Sequence, residues 1–228
     1  MKKVFELPAF RRLLVAAVLN ELGLSVAAVA LAVLVYRQTG SALGAAAFFL
    51  CAQFGPALLS PFVVARLDQR DVRGVLVRLY ALEGVIFAIL AWLVGRFALA
   101  PVLALALVDG VLAGAARVIA RAAWASDTGS AGLMREASAV MNTSLSVCYM
   151  VGPALGGVIV AASGTRGALL VNVGAFALIT VVIATAHGLP AAAPDRAPPT
   201  GRLRAAIAIA RGEPLIRRLL SLQAIGMV

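Results

Sequence analysis

Six apolar stretches fill most of the first 186 residues of this chain, and each is long enough to cross a lipid bilayer. They run from about Leu13 to Tyr36, Ala42 to Ala65, Val75 to Val94, Leu99 to Ala120, Ala139 to Ala162 and Ala168 to Ala186. A hydrocarbon core roughly 30 Å thick needs about 20 apolar residues in helical form. Backbone N–H and C=O groups find no water there, so each stretch must satisfy its own hydrogen bonds as a helix. The alternation of a membrane strand is absent, which excludes a barrel. A composition 62% hydrophobic and 13% charged, with a mean hydropathy of +1.00, sets the chain apart from soluble domains. The fold expected is an all-α membrane protein.

The loops carry a second pattern. Lys2, Lys3, Arg11 and Arg12 precede the first stretch, and Arg37 alone follows it. Arg66, Arg70 and Arg73, with Arg78 nearby, follow the second, and Arg96 alone follows the third. Arg121 and Arg135, with Arg117 just inside the helix, follow the fourth, and Arg166 alone follows the fifth. Arg196, Arg202, Arg204, Arg211, Arg217 and Arg218 come after the sixth. Rich and poor loops alternate, and basic loops stay on the cytoplasmic side. Both the N-terminus and the segment after the sixth stretch are therefore expected in the cytoplasm. The net charge of +10 follows from this and from contact with anionic headgroups. The basic residues flank apolar runs and form no stripe on one domain face, which argues against nucleic acid as a partner.

Residues 1–187 read as a six-helix transmembrane bundle. Residues 188–213 read as a cytoplasmic linker rich in Pro and Ala, with an amphipathic helix over Gly201 to Arg211. A new apolar run begins after Pro214, so residues 214–228 are expected to open a seventh transmembrane helix, truncated at Val228. The basic start Met1-Lys2-Lys3 leads into a run too long for a signal peptide.

Between the second and third stretches the chain reads Ala65-Arg66-Leu67-Asp68-Gln69-Arg70-Asp71-Val72-Arg73-Gly74. Three arginines interleaved with two aspartates suit either a plain solvated loop or a charged latch. In the latch, Asp68 caps a neighbouring helix end and pairs with arginine, with Arg70 and Arg73 as the basic members. In the fifth stretch, Val151-Gly152-Pro153-Ala154-Leu155-Gly156-Gly157 places Gly152 and Gly156 four apart, a smooth face for close helix approach. Pro153 removes a backbone donor and is expected to bend the helix.

Together these segments resemble the major facilitator superfamily. Asp68 matches the aspartate of its loop signature between helices two and three, and Arg73 falls near a later basic position. Val64 stands where that family has glycine, and Gln69 replaces its first basic residue. Gly152, Pro153, Gly156 and Gly157 look like the fifth-helix motif of its drug-exporting members. Thr39-Gly40-Ser41-Ala42, Ala120-Arg121-Ala122 with Asn142, Leu170 to Phe176, and Glu213 to Leu220 resemble the branch that exports macrolides and enterobactin. The resemblance spans the whole chain but covers only the N-terminal half of a twelve-helix member. It implies a six-helix bundle of the major facilitator type, in a bacterial inner membrane, that rocks against a missing C-terminal half or a second copy.

Glu21, Glu83 and Asp109 do not belong in hydrocarbon, so each is expected to face the bundle interior or water. Around Glu21 the positions Ala17, Ser25 and Ala28 are small. Val15, Leu19, Leu22, Val26, Val29 and Val33 form an apolar stripe expected to face lipid, which turns Glu21 and Asn20 inward. Tyr80 and Phe87 share the face of Glu83 like a pocket wall. Asp109 lies on a helix whose Gly110, Gly114, Arg117 and Arg121 share one side. Asn20, Glu21, Glu83, Asp109, Arg117 and Arg121 are thus the candidates for a proton or substrate cavity. The alternative for the acids is internal pairing, for instance Asp109 with Arg117 or Arg78. His187 and the two tryptophans, Trp92 and Trp124, read as interfacial residues.

Cys51 and Cys148, both inside apolar runs, provide neither a disulfide framework nor zinc spacing. A phosphate-binding loop and a nucleophile elbow are both missing. No enzyme, metal site or cofactor is expected. The expected activity is secondary transport, a proton exchanged for an amphiphilic small molecule by alternating access. The alternative is a non-transporting membrane scaffold or an inactive half-transporter.

Overall fold

A computed structural model describes residues 2–67 and 71–186, within the compact unit Met1–Ala193. The linker, the amphipathic segment, the run after Pro214 and His187 lie outside the described residues, as do Asp68, Gln69 and Arg70. The described residues are helical almost throughout, and no strand occurs among them. A short 3-10 turn over Lys2–Glu6 leads into α1 (Pro8–Thr39). Then come α2 (Ala42–Phe49), α3 (Gly55–Leu67), α4 (Val72–Leu93), α5 (Leu99–Ser130) and α6 (Met134–Ala184). Four helical segments are long and apolar enough to cross a membrane: Pro8–Thr39, Val72–Arg96, Leu99–Ser130 and Met134–Ala184. The described residues are thus of the all-helical membrane class, by the length and apolarity of these four helices.

The helix ends follow local chemistry. Pro8 opens α1, where its missing N–H is no loss. Gly40 closes that helix in the left-handed region at φ 61°, its N–H bonded to Tyr36 O at 2.8 Å. Ser41 then caps α2 by accepting from Gly44 N–H at 3.3 Å. Asp71 caps α4, its two carboxylate oxygens accepting from Arg73 N–H at 3.2 Å and Gly74 N–H at 3.1 Å. The helices α1 and α5 outrun the stretches marked by hydropathy, because apolarity reports the hydrocarbon and a helix continues past it. Between α2 and α3 the chain makes a π-helical turn over Leu50–Phe54, with Gly55 N–H reaching Leu50 O. Pro56 follows and has no N–H to resume the regular ladder at once.

The longest helix cannot be a single rod inside one bilayer. Fifty-one residues would extend about 75 Å at 1.5 Å per residue. Its backbone breaks at Gly164, where φ is 70° and ψ 175°, a conformation open essentially to glycine alone. The break falls there and not at Pro153, which sits within helical backbone. The expected bend at Pro153 is thus corrected: a proline in a helix loses one hydrogen bond but can keep its angles, whereas Gly164 leaves the helical region altogether.

Contacts along α1 give the direction of each arm. Val18, Ser25 and Val26 meet Cys148, Gly152 and Gly156 in that order, so α1 and the first arm of α6 run parallel. Arg12 donates to Thr185 O and Gly23 meets Asn172, so the second arm runs antiparallel to α1. The two arms therefore run in opposite directions on either side of Gly164. On the other flank, α3 lies along α5, with Gly110 against Pro56 and Gly114 against Ser60.

The apolar stripe on α1 is only partly free. Val15 is exposed, but Val26 is buried and Val29 also touches Gly156. The expectation that this stripe faces lipid fails at Val26, because Gly152 and Gly156 have no side chains and let α6 close over it. Trp124 is likewise buried, edge-on to Phe10 with centroids 6.4 Å apart. It is a packing residue and not an interface anchor. Trp92 is exposed and carries the Arg96 guanidinium 5.1 Å from its ring centre.

Candidate functional site: charged and polar groups inside the bundle

Glu21 lies within α1, more than three turns from its start, and its side chain is 7% exposed. It would be an isolated charge except for Arg117 of α5, whose guanidinium donates to Glu21 Oε2 at 3.2 Å. This is the salt bridge found among the described residues. The two ends differ sharply, since the Arg117 side chain is 53% exposed. On the first arm of α6, Cys148 Sγ donates to Val18 O at 3.9 Å, one turn before Glu21 on α1, and Tyr149 beside it is exposed. Asn20, next to Glu21, is also buried, and its Oδ1 has no partner.

A second pair lies between α4 and α5. Glu83 is fully buried and neither carboxylate oxygen has a hydrogen-bond partner among the described residues. Asp109 is buried on α5, and its own Oδ1 is equally unpartnered. The contact that Arg117 makes is with Glu21. The pairing of Asp109 with Arg117 is therefore corrected to Glu21 with Arg117. Arg78 is exposed and forms no bridge to Asp109 among the described residues. Helix geometry explains this: Asp109 and Arg117 are eight residues apart on α5, too far along the axis for one side chain to reach the other.

The aromatic face beside Glu83 is occupied. Phe176, from the second arm of α6, stacks on Phe87 with centroids 5.4 Å apart and planes 13° from parallel. Tyr80 meets the same ring at 6.4 Å. Tyr80 and Phe87 thus form packed core, not the wall of an open pocket.

The other candidates scatter. Arg121, one turn beyond Arg117, is exposed. Gly152 and Gly156 are buried against Ser25, Val26 and Val29, while Pro153 and Gly157 are exposed. Of the latch, Asp68 and Arg70 lie outside the described residues. Arg73 is half-buried in the first turn of α4, beneath the Asp71 cap. Sequence reasoning on chemistry passed over Asn172 and Tyr149. Asn172 is 1% exposed, presses on Gly23, and has neither amide atom bonded. A polar amide between two valines in an apolar run was signal enough to single it out.

Among the described residues no group of three or more His, Cys, Asp or Glu side chains is placed to hold a metal ion. No protein-family model, curated protein or solved structure matches the chain.

Proposed function

We propose that this chain is the N-terminal half of a secondary exporter of the major facilitator type. In this reading it crosses a bacterial inner membrane six times with its N-terminus in the cytoplasm. It exchanges protons for amphiphilic small molecules together with a missing C-terminal half or a second copy. The observation that carries the reading is that Glu83 and Asp109 are both buried, on the apolar helices α4 and α5, with carboxylate oxygens left unpaired among the described residues. An acid at the centre of a membrane helix costs about 2.5–3.5 kcal/mol on insertion scales, and such residues mark proton and substrate paths. A carboxyl in such a dry place ionises only at a cost, which suits a group that takes up and gives up a proton in each cycle.

Other features agree with it. Six apolar passes are compatible with the described residues if α2 and α3, joined by the π turn, count as one pass and the break at Gly164 makes two of α6. Helix reversal at each loop gathers Lys3, Arg11, Arg12, Arg66, Arg73, Arg121 and Arg135 at the end where Arg12 meets Thr185. Arg37, Arg96 and Arg166 fall at the opposite end, a segregation that favours a cytoplasmic N-terminus. In the full latch, Asp68 with Arg70 and Arg73 would hold one conformational state.

One observation favours the rival reading of a non-transporting scaffold. The Phe87–Phe176 stack closes over the face of α4 that bears Glu83. The test is proton movement in everted vesicles containing the chain, alone and with a second copy fused in tandem. Addition of an amphiphilic solute should dissipate an imposed pH gradient, and Glu83→Gln and Asp109→Asn should abolish the response. Vesicles whose gradient is unaffected in every arrangement would leave the scaffold as the better account.

A further inference from the structure

Arg117 is an odd ion-pair partner. Its carboxylate is sealed inside the bundle, while the guanidinium stands half in the open on the flank of an apolar helix. A guanidinium has five N–H donors, and among the described residues only one terminal nitrogen is engaged, by Glu21 Oε2. An arginine this near the end of an apolar run can ordinarily stretch to the headgroups. Arg117 instead turns inward to Glu21, which keeps its free edge on the bundle's flank. Arg121 follows one helical turn along α5, and Tyr149, 55% exposed, stands next to Cys148, which meets α1 at Val18 O one turn before Glu21. Two guanidinium groups and one carboxylate leave the open side positive.

We propose that Arg117, flanked by Arg121 and Tyr149, is a binding site for the acidic group of an amphiphilic anion, which competes with Glu21 for the guanidinium. Arginine matches carboxylate, phosphate and sulfonate oxygens through paired N–H donors, and the Tyr149 hydroxyl adds a third donor. The apolar part of the ligand lies along the surrounding helix surface, where Val118 is exposed. The site rests on the transport reading only for the claim that the ligand is cargo; the charge preference stands or falls by binding alone. A lipid headgroup and a soluble solute present the same chemistry.

The experiment uses the full chain in nanodiscs of zwitterionic lipid and a matched pair of probes, 2-naphthoate and (2-naphthylmethyl)trimethylammonium. Wild-type protein should bind the anion and not the cation. Arg117→Gln should weaken anion binding by about tenfold, the loss of one charge-assisted contact. Glu21→Gln should strengthen it, because the internal competitor is gone. A purely structural ion pair would not produce this opposite response. The double variant Glu21→Gln/Arg117→Gln leaves no buried charge unpaired, so it covers the case in which Arg117→Gln fails to fold, and it should also lose the anion. Titrating phosphatidylglycerol into the discs separates the sources. Displacement of naphthoate identifies a lipid headgroup as the occupant, and no displacement identifies a free solute; both keep the anion site. Equal binding of both probes, or Glu21→Gln that weakens anion binding, would overturn it.

Discussion

Gly156 on α6 sits so close to Val26 on α1 that a Cβ placed on the glycine would meet the valine Cα at 3.1 Å. Backbone faces backbone here, and the valine cannot move aside without moving its helix. Gly156→Ala should therefore destabilise the bundle by about 1–3 kcal/mol, the usual cost of overpacking a tight contact. Gly157 is the control, since it is exposed and a Cβ there meets nothing within 4 Å. Gly157→Ala should be neutral or stabilising by about 0.5–1 kcal/mol through helix propensity. Thermal unfolding of the two variants in the same detergent checks the contrast.

The Glu21–Arg117 pair predicts a different asymmetry. Arg117→Gln leaves a carboxylate buried in α1 with its cation gone, a change that typically costs about 3–5 kcal/mol for a fully buried pair. The guanidinium end of the pair is open, so the pair is not fully buried and about 1–3 kcal/mol is expected. Glu21→Gln frees a cation that can stretch to the headgroups and should cost less. Stability curves for both single variants and the double variant, analysed as a cycle, give the coupling directly; equal losses from the two singles would contradict the assignment of the buried end.

Threading through the membrane is open to a chemical test. In a background with Cys51 and Cys148 replaced by serine, a cysteine at Gln38 or Arg166 should react with an impermeant maleimide added to intact cells. One at Arg135 should react only after the membrane is opened. Labelling of Gln38 and Arg166 from the inside alone would reverse the arginine-based orientation.

Much of this architecture is readable along the chain, at particular residues. The left-handed Gly40 followed by Ser41 is a stop and a start written side by side, and the structure uses both. The apolar runs mark where helix must lie, since the backbone has no other way to satisfy itself in lipid. The Gly152–Gly156 spacing marks a close approach, and α1 fills it. Legibility ends where one helix meets another. Val26 and Val15 are the same residue type on the same helix, yet one is buried under α6 and the other is exposed.

What the linear order of residues settled is the helical class, the approximate course of the apolar runs, and the unequal share of arginine among the loops. Tertiary structure alone decided that Arg117 serves Glu21 and not Asp109, that Trp124 lies inside against Phe10, and that Phe176 stacks on Phe87. The physical reason is that lipid tails are as apolar as leucine. In water, a periodic apolar face announces a buried contact, but in a bilayer the outer face is apolar too. Choice of partner then rests on shape and on the few polar groups, and those meet only when the helices have packed.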